Sequence, residues 1–405
     1  MRYSEVFHRG QCRDSGAPRK NTSAITLATS VSYESPYSLP RFIMPSTRFI
    51  ALVILSSLAC VMAFQAQDPE EILPAAPKDY SVIFISVDGL RPDAVISQGI
   101  DDVPNFYRLR NEGAFTDNAR TAIDYTITLP NHTGMVTSRL ASGPEGHHWT
   151  INKDPPLGMT LHKNKGERLV SMFSVAHDHG LRTALFASKS KFSIFNLSYN
   201  ERFGALDTTG EDNGRDKIDT YIMDSRSEKV VDQLEDFMET QVFDLLMLHI
   251  RNPDTAGHAL SWTLKKPSLY MSSIKRADEM LGDIFEQIEE NEGWKDRTFV
   301  VLTADHGGEI GTKGHSNNLH DGCYTIPFYV WGPGIPAGAE LYDLNPESRA
   351  NPGNKNPAAD FEGLPPIRNA DAGNLCLDLL GLPPIPGSTM NSTQDLKLPS
   401  ENVTE

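Results

Sequence analysis

The chain has 405 residues, of which 39% are hydrophobic and 8% aromatic, enough apolar material for one large domain or two smaller ones. The formal charge is −16, and residues 1–63 carry seven basic and three acidic side chains, which leaves −20 for residues 64–405. This acidic body argues against binding to polymeric nucleic acid or to anionic membrane surfaces.

A targeting segment is predicted over residues 44–66. It begins at Met44, has a basic residue at Arg48 and continues as an apolar run over 49–63, the order typical of a secretory signal peptide. The run is shorter than the roughly 20 residues of a membrane helix, so we expect export with cleavage, secreted or periplasmic, and no membrane span afterwards. A type II membrane anchor is the alternative. Residues 1–43 lack apolar periodicity and are predicted to be an unstructured extension or to follow from a wrongly assigned start codon.

The elements that follow are those of an α/β protein. An acidic, Pro-rich linker over 67–79 precedes a predicted domain over 80–388 and a flexible tail over 389–405. Short apolar strands alternate with helices in the domain, a pattern that predicts a doubly wound, mostly parallel central sheet flanked by helices. The predicted elements, in chain order, are strand 80–87, helix 167–179, strands 182–187 and 243–250, helix 269–290, strands 298–304 and 326–331, and helix 372–380.

The strand over 298–304 ends in the most informative dipeptide of the chain, Asp305-His306, which two glycines follow. Ligand sites of parallel sheets lie outside the carboxyl ends of the strands, and carboxylate and imidazole groups are common metal ligands. A turn that hydrogen-bonds its own backbone is the alternative interpretation.

Further candidate ligands follow other strands. Asp88 follows the first strand and could instead cap the helix that starts near Pro92. Asp254 and His258 stand four positions apart just past another strand, a spacing that can direct both at one cation, although a loop Asp and a solvent-facing His would look the same. The third imidazole is His315 or His320.

This mixed nitrogen and oxygen set without thiolate suits catalytic zinc or manganese better than structural zinc. Six ligands make two half-sites, and paired cations stabilise both the attacking and the leaving oxygen in phosphoryl displacement. Thr128 would be a plausible nucleophile beside such a cation, because a metal-bound hydroxyl loses its proton more readily. The six ligands are Asp88, Asp254, His258, Asp305, His306 and His315.

Five segments, in order, resemble motifs of the alkaline phosphatase superfamily, most closely its type I phosphodiesterase/nucleotide pyrophosphatase (ectonucleotide pyrophosphatase/phosphodiesterase-like) family. The resemblance covers residues 80 to about 385 and implies an alkaline phosphatase-like catalytic domain. The segments are Asp88-Gly89, Thr128-Leu129-Pro130-Asn131-His132, Pro253-Asp254-x-x-Gly257-His258, Asp305-His306-Gly307 and Gly314-His315.

The resemblance also implies roles for individual residues. It assigns one divalent cation, expected to be Zn²⁺, to Asp88, Thr128, Asp305 and His306, and a second to Asp254, His258 and His315, with His315 preferred over His320. Thr128 is the implied nucleophile, and Asn152, in the segment 144–152, is the implied donor to a phosphate oxygen. The implied partner is a small phosphoester, in some relatives a nucleotide.

Two departures bear on the substrate. Leu129 stands where nucleotide-cleaving relatives usually have Phe, which removes one face for stacking a base, and Arg251 replaces an acidic residue and could hold the extra charge of a phosphomonoester. We therefore expect hydrolysis of phosphodiester or pyrophosphate bonds through a phospho-threonine, with phosphomonoester hydrolysis as the alternative. A non-catalytic metal- or phosphate-binding relative is less favoured because no ligand is lost, and a sulfatase is disfavoured because the Cys/Ser-x-Pro-x-Arg context is absent.

Cys323 and Cys376, the only cysteines after residue 63, could form one disulfide.

Overall fold

The computed structural model describes residues 80–209, 214–354 and 363–398. Three predicted segments lie outside these residues: the extension over 1–43, the signal peptide over 44–66 and the linker over 67–79. Within the described ranges, no helix has both the length and the hydropathy needed to cross a membrane.

An eight-stranded sheet forms the centre of the described structure, in the order β4-β3-β5-β1-β6-β7-β2-β8. Strands β4, β3, β5, β1 and β6 are parallel, and β7 pairs antiparallel with both β6 and β2. The strands are β1 (Ser81–Val87), β2 (Ala114–Arg120), β3 (Thr183–Ala187), β4 (Thr220–Met223), β5 (Leu245–Ile250), β6 (Thr298–Thr303), β7 (Thr325–Trp331) and β8 (Ala339–Glu340).

The central strands are covered on both faces. Every residue of β1, β3, β5 and β6 is buried, as expected of parallel strands whose sequences are near-continuous apolar runs. The flanking helices are Pro92–Gln98, Pro104–Glu112, Thr128–Thr137, Leu161–Lys165, Met172–Asp178, Ser193–Tyr199, Ser227–Thr240, Asn252–Ala259, Leu269–Glu290, Asp321–Tyr324, Leu341–Leu344 and Ala372–Leu379. The predicted α/β class with a mostly parallel sheet is confirmed.

Two predicted boundaries are wrong. The helix expected over 167–179 begins only at Met172, because the Ser171 hydroxyl accepts a hydrogen bond from the backbone N–H of Ser174 and caps the helix there. The tail expected to be flexible from residue 389 is packed as far as residue 398. Leu396 is fully buried, and its backbone N–H donates to the side chain of Asn391.

Cys323 and Cys376 do not form the disulfide that their number allowed. Both thiols are buried and free. Cys323 lies in the short helix Asp321–Tyr324 and Cys376 in the helix Ala372–Leu379, where each packs as a small apolar side chain.

Candidate metal and phosphate site

The site forms where the carboxyl ends of four neighbouring parallel strands meet. Strands β3, β5, β1 and β6 are consecutive in the sheet, so residues just past their ends share one edge. Asp88 directly follows β1 and Asp305 follows β6 by two positions, whereas Asp254 lies in the helix after β5. Asp88 does not cap the next helix, whose N-cap residue is Arg91.

One cluster combines Asp88, Asp305 and His306, whose side chains are completely buried. The Nε2 atom of His306 lies 3.2 Å from Asp305 Oδ2 and 3.5 Å from Asp88 Oδ1. All three ligand atoms lie within 4.8 Å of one another, a separation that one cation could bridge.

A second cluster combines Asp254, His306 and His315. His315 Nε2 lies 3.7 Å from Asp254 Oδ1, and the rings of His306 and His315 stack with their centroids 3.6 Å apart. His258 joins this cluster at its solvent side, with Nε2 3.3 Å from Asp254 Oδ1 and 3.1 Å from His315 Nε2. His306 therefore stands between both clusters, whereas the sequence analysis assigned it to the first alone.

Four buried atoms of these clusters have no hydrogen-bond partner in the part of the chain that the structure describes: Asp88 Oδ1, Asp254 Oδ1, Asp305 Oδ2 and His306 Nε2. Leaving a buried polar atom unpaired costs about 1 to 3 kcal/mol, so four such atoms facing one another would be an expensive arrangement without a ligand. A divalent cation with nitrogen and oxygen ligands would satisfy them. The two buried His/Asp clusters therefore fit a binuclear metal site.

The ionisation states of the two histidines and of Asp88 match that use, whereas Asp305 tends to keep its proton until a cation is bound. Burial lowers the pKa of His306 to about 3, with a further contribution from His315, and burial lowers the pKa of His315 as well. Both imidazoles are therefore neutral and can offer a lone pair. Burial and the neighbouring Asp88 raise the pKa of Asp305. The pKa of Asp88 is lowered well below its ordinary value, because Lys189 and His249 outweigh the effect of burial.

Lys189 is a site residue that the sequence analysis missed. Its ammonium nitrogen lies 2.6 Å from Asp88 Oδ2 and 2.6 Å from Asp254 Oδ2. It thus holds the outer oxygen of one carboxylate from each cluster, while the inner Oδ1 atoms face the histidines. The side chain is only 9% exposed, and the attraction of these carboxylates raises its pKa against the effect of burial.

His249 is a second missed residue, from the buried strand β5. Its Nε2 lies 2.9 Å from Asp88 Oδ2 and its Nδ1 lies 2.9 Å from the Ser188 hydroxyl. Burial lowers the pKa of His249 to about 4, so the ring is neutral. Such a contact fixes the orientation of a ligand carboxylate. The sequence feature that could have indicated this residue is a single histidine in the otherwise apolar strand Leu245–Ile250.

Thr128 is the buried first residue of the helix Thr128–Thr137. His132 ties it to the first cluster, because Nδ1 of that ring lies 2.8 Å from the Thr128 carbonyl oxygen and 3.7 Å from Asp305 Oδ2. The next residue, Leu129, has one of the backbone N–H groups that a helix N-terminus leaves without an intrahelical partner. This N–H donates to Asn152 Oδ1 at 3.1 Å, so the predicted phosphate donor does lie beside the predicted nucleophile.

His320 is used elsewhere. Its Nδ1 accepts a hydrogen bond from the backbone N–H of Gly322 at 3.1 Å and caps the helix Asp321–Tyr324. His315, by contrast, exchanges two hydrogen bonds with Thr126, which fix its ring beside Asp254. The structure therefore brings His315, and not His320, together with Asp254 and His306.

Trp262 is fully buried and packs next to His306 and His315. Its ring centroid lies 5.9 Å from that of His315 and 6.2 Å from that of His306. A Cβ atom at Gly308 or Gly257 would collide with the indole. The glycine that follows the Asp-His-Gly segment is therefore required by close packing.

Comparison with known proteins agrees with this geometry. Residues 82–321 match the family model "Type I phosphodiesterase / nucleotide pyrophosphatase". Two curated relatives are 2,3-bisphosphoglycerate-independent phosphoglycerate mutases, from Pyrococcus abyssi (30% identity over 111 residues, 27% of this chain and 22% of the relative) and from Methanocaldococcus jannaschii (32% over 93 residues, 23% and 19%). The chain thus spans about a fifth of the length of these relatives.

Solved structures share the fold at low identity. A 2-O GAG sulfatase has a TM-score of 0.54 at 12% identity (80% of this chain, 76% of that chain), and a lipoteichoic acid synthase from Listeria monocytogenes has 0.53 at 17% (81% and 78%). Murine ectonucleotide pyrophosphatase/phosphodiesterase 5, solved with AMP, has 0.51 at 16% (78% and 99%). These likenesses identify an alkaline phosphatase-like fold. With the family match over more than half of its length, the chain belongs to the type I phosphodiesterase/nucleotide pyrophosphatase family of the alkaline phosphatase superfamily.

Proposed function

We propose that this protein is an exported two-metal phosphoesterase that hydrolyses phosphodiester or pyrophosphate bonds through a phospho-threonine intermediate. The observation that carries the proposal is the convergence of four buried ligand atoms, from Asp88, Asp254, Asp305 and His306, that have no hydrogen-bond partner among the described residues. His132 links this cluster to the buried Thr128 at a helix N-terminus. Family membership supports the reaction class.

In this mechanism Asp88, Asp305 and His306 would hold one cation, with Thr128 beside it. Asp254, His258 and His315 would hold the other, with His306 between the two. Two bound divalent cations would supply positive charge to favour the deprotonated hydroxyl and to stabilise the attacking and leaving oxygens. Zinc is the proposed metal because the donors mix imidazole and carboxylate without thiolate.

The chain's own groups perform the bond changes. Thr128 loses its hydroxyl proton to solvent and its oxygen attacks phosphorus, while the bond from phosphorus to the leaving oxygen breaks and that oxygen is protonated by solvent. Water then attacks phosphorus and gives one proton to solvent, while the bond from phosphorus to the Thr128 oxygen breaks and that oxygen regains a proton. The N–H of Leu129 and the amide of Asn152, which lie side by side, would hold a non-bridging oxygen during both steps.

The proposed substrate is a small phosphoester. The structural likeness to a phosphodiesterase solved with AMP supports a nucleotide-type substrate, whereas Leu129 offers no aromatic face for a base. Phosphomonoester hydrolysis is the second candidate, because Lys191 adds a positive charge next to Asn152. Arg251 contributes less to this second candidate, since its guanidinium donates to Thr255 and to the Ser188 carbonyl.

Export is proposed from residues 44–66 alone. Expression of the full chain with its leader, followed by mass determination of the protein outside the cytoplasm, tests it. A product that begins after the small-residue end of this segment agrees with cleavage. A full-length product retained in the membrane would instead support the type II anchor.

Thr128→Ala tests the catalytic proposal. The variant and the wild type, both lacking residues 1–63 and loaded with zinc, are compared on bis(p-nitrophenyl) phosphate and p-nitrophenyl phosphate. We expect equal metal content and a loss of activity of at least about 100-fold on the better substrate, since the nucleophile is absent. Thr240→Ala, at an exposed residue whose hydroxyl donates to the Asp236 carbonyl, is the matched control.

Two results would reject the mechanism. Phosphoesterase activity that survives Thr128→Ala with its metal content intact excludes Thr128 as the nucleophile. A zinc-loaded wild type that binds both metals but cleaves no nucleotide, lipid-type or aryl phosphoester would favour the non-catalytic binding protein.

A further inference from the structure

Lys191 lies next to the proposed phosphate-binding groups but has no part in the mechanism above. It follows β3 by four positions, in the 3-10 turn Ser190–Phe192. Its ammonium nitrogen lies 3.0 Å from Asn152 Oδ1, the oxygen that also accepts the N–H of Leu129 at 3.1 Å. A cation, a backbone N–H and a side-chain amide therefore meet at one point beside Thr128.

The two neighbouring lysines are paired very differently. Lys189 is bound by two carboxylates at 2.6 Å. Lys191 donates to a single acceptor among the described residues, the neutral amide oxygen of Asn152. An ammonium group has three donors, so Lys191 retains donors for an anion. Burial lowers its pKa, and the positive charge of Lys189 adds to that effect, which marks the ammonium as partly desolvated.

A partly desolvated cation with only a neutral partner gains most from an ionised oxygen, because hydrogen bonds between charged groups are roughly twice as strong as neutral ones. We propose that Lys191 is a specificity-determining residue that binds the second anionic oxygen of the substrate phosphoryl group, at the position that a phosphodiester has esterified. A phosphomonoester offers this second anionic oxygen and a simple phosphodiester does not. This inference rests on the proposed phosphoesterase function.

The rival explanation is that Lys191 only positions Asn152. The two roles predict different results for substrates that share a leaving group. Removing a donor to the second anionic oxygen weakens only the dianionic substrate, whereas disturbing Asn152 weakens both, since every phosphoester presents a non-bridging oxygen to that amide.

The experiment compares zinc-loaded wild type, Lys191→Met and Lys191→Arg on p-nitrophenyl phosphate and methyl p-nitrophenyl phosphate. For Lys191→Met we expect kcat/KM to fall about 10- to 100-fold on the monoester and less than about 3-fold on the methyl diester, as for loss of one charge-assisted hydrogen bond. Lys191→Arg should recover part of the monoester activity because it keeps the charge. Lys229→Met, at an exposed lysine paired with Asp232, is the control for surface charge.

Equal losses on both substrates, or no loss on the monoester, would overturn the proposal. Binding of inorganic phosphate, measured by calorimetry in the Thr128→Ala background, tests Lys191 even if the zinc-loaded protein turns over neither ester. We expect Lys191→Met to weaken phosphate binding at least about 10-fold with unchanged zinc content. Phosphate affinity unaffected by Lys191→Met refutes this role for Lys191, whereas absence of turnover in wild type refutes only the proposed function.

Discussion

Replacement of Lys189 by methionine should destabilise the metal-free protein strongly. The ammonium lies 2.6 Å from one oxygen of Asp88 and one of Asp254, and the three side chains are 9%, 0% and 7% exposed. Methionine keeps much of the length and apolar contact of lysine but removes the charge. Two buried carboxylates would then face each other, with Asp305 close by, without the cation that separates them.

Removing one partner of a buried ion pair costs roughly 3 to 5 kcal/mol, because the remaining charge stays buried. For a domain of this size we expect a fall in Tm of roughly 6 to 15 °C in chelator-treated protein. Thermal unfolding followed by circular dichroism measures it. Added zinc should raise the Tm of Lys189→Met more than that of wild type, because the cation then replaces a missing positive charge and binding to the folded state alone adds stability.

Lys275→Met is the matched control, since Lys275 also pairs with an aspartate, Asp102, but at 47% and 36% exposure. Exposed pairs contribute about 0 to 1 kcal/mol, so its Tm should change by no more than about 3 °C. If metal-free Lys189→Met melts within that range of wild type, the carboxylates are not held together by Lys189 and the electrostatic description of the site is wrong.

Three further predictions concern packing at Gly308, the titration of Asp278 and the accessibility of the two thiols. Gly308→Ala should destabilise the protein by about 1 to 3 kcal/mol and lower its zinc content, because the methyl group collides with Trp262; an unchanged urea midpoint would contradict the close packing. Burial raises the pKa of Asp278 to about 6, so the folded protein loses stability as the pH rises from 4 to 6 and this carboxyl ionises. Asp278→Asn lacks the titrating group, so its free energy of unfolding in urea, relative to that of wild type, should increase over the same pH range. Cys323 and Cys376 should react with a thiol reagent only after denaturation, and fast reaction of either thiol in native protein would show that it is accessible.

The strands and the ligands at their ends were predictable because both signals are local. A buried parallel strand is a short apolar run, and the first polar residue after it must lie at the edge of the sheet. Asp88 and Asp305 follow directly from that rule. Asp254 and His258 followed from their spacing just past β5, whereas the choice of His315 over His320 needed the motif resemblance, since a loop separates both histidines from the end of β6.

Lys189 and His249 were not predictable in the same way. Both depend on the pairing of β3 with β5, which sets Ala187 beside His249 and brings Lys189 to Asp254. Nothing local in the run Ser188 to Phe192 states which strand lies next to β3. Long-range order in the sheet therefore determines where Lys189 and His249 lie, whereas the carboxylates can be predicted from their positions along the chain.

The short segment after the Asp-His pair explains how His306 can serve both clusters. The backbone N–H groups of Gly307 and Gly308 donate to the carbonyls of Cys323 and Gly322, and Glu309 donates to Gly314, which closes the loop just before His315. A loop this short closes at little entropic cost and leaves few alternative paths. It places the His315 ring parallel to that of His306, at an interplanar angle of 5°. Because Trp262 leaves no room for a side chain at Gly308, the backbone of this segment packs directly against the indole between His306 and His315 in the sequence.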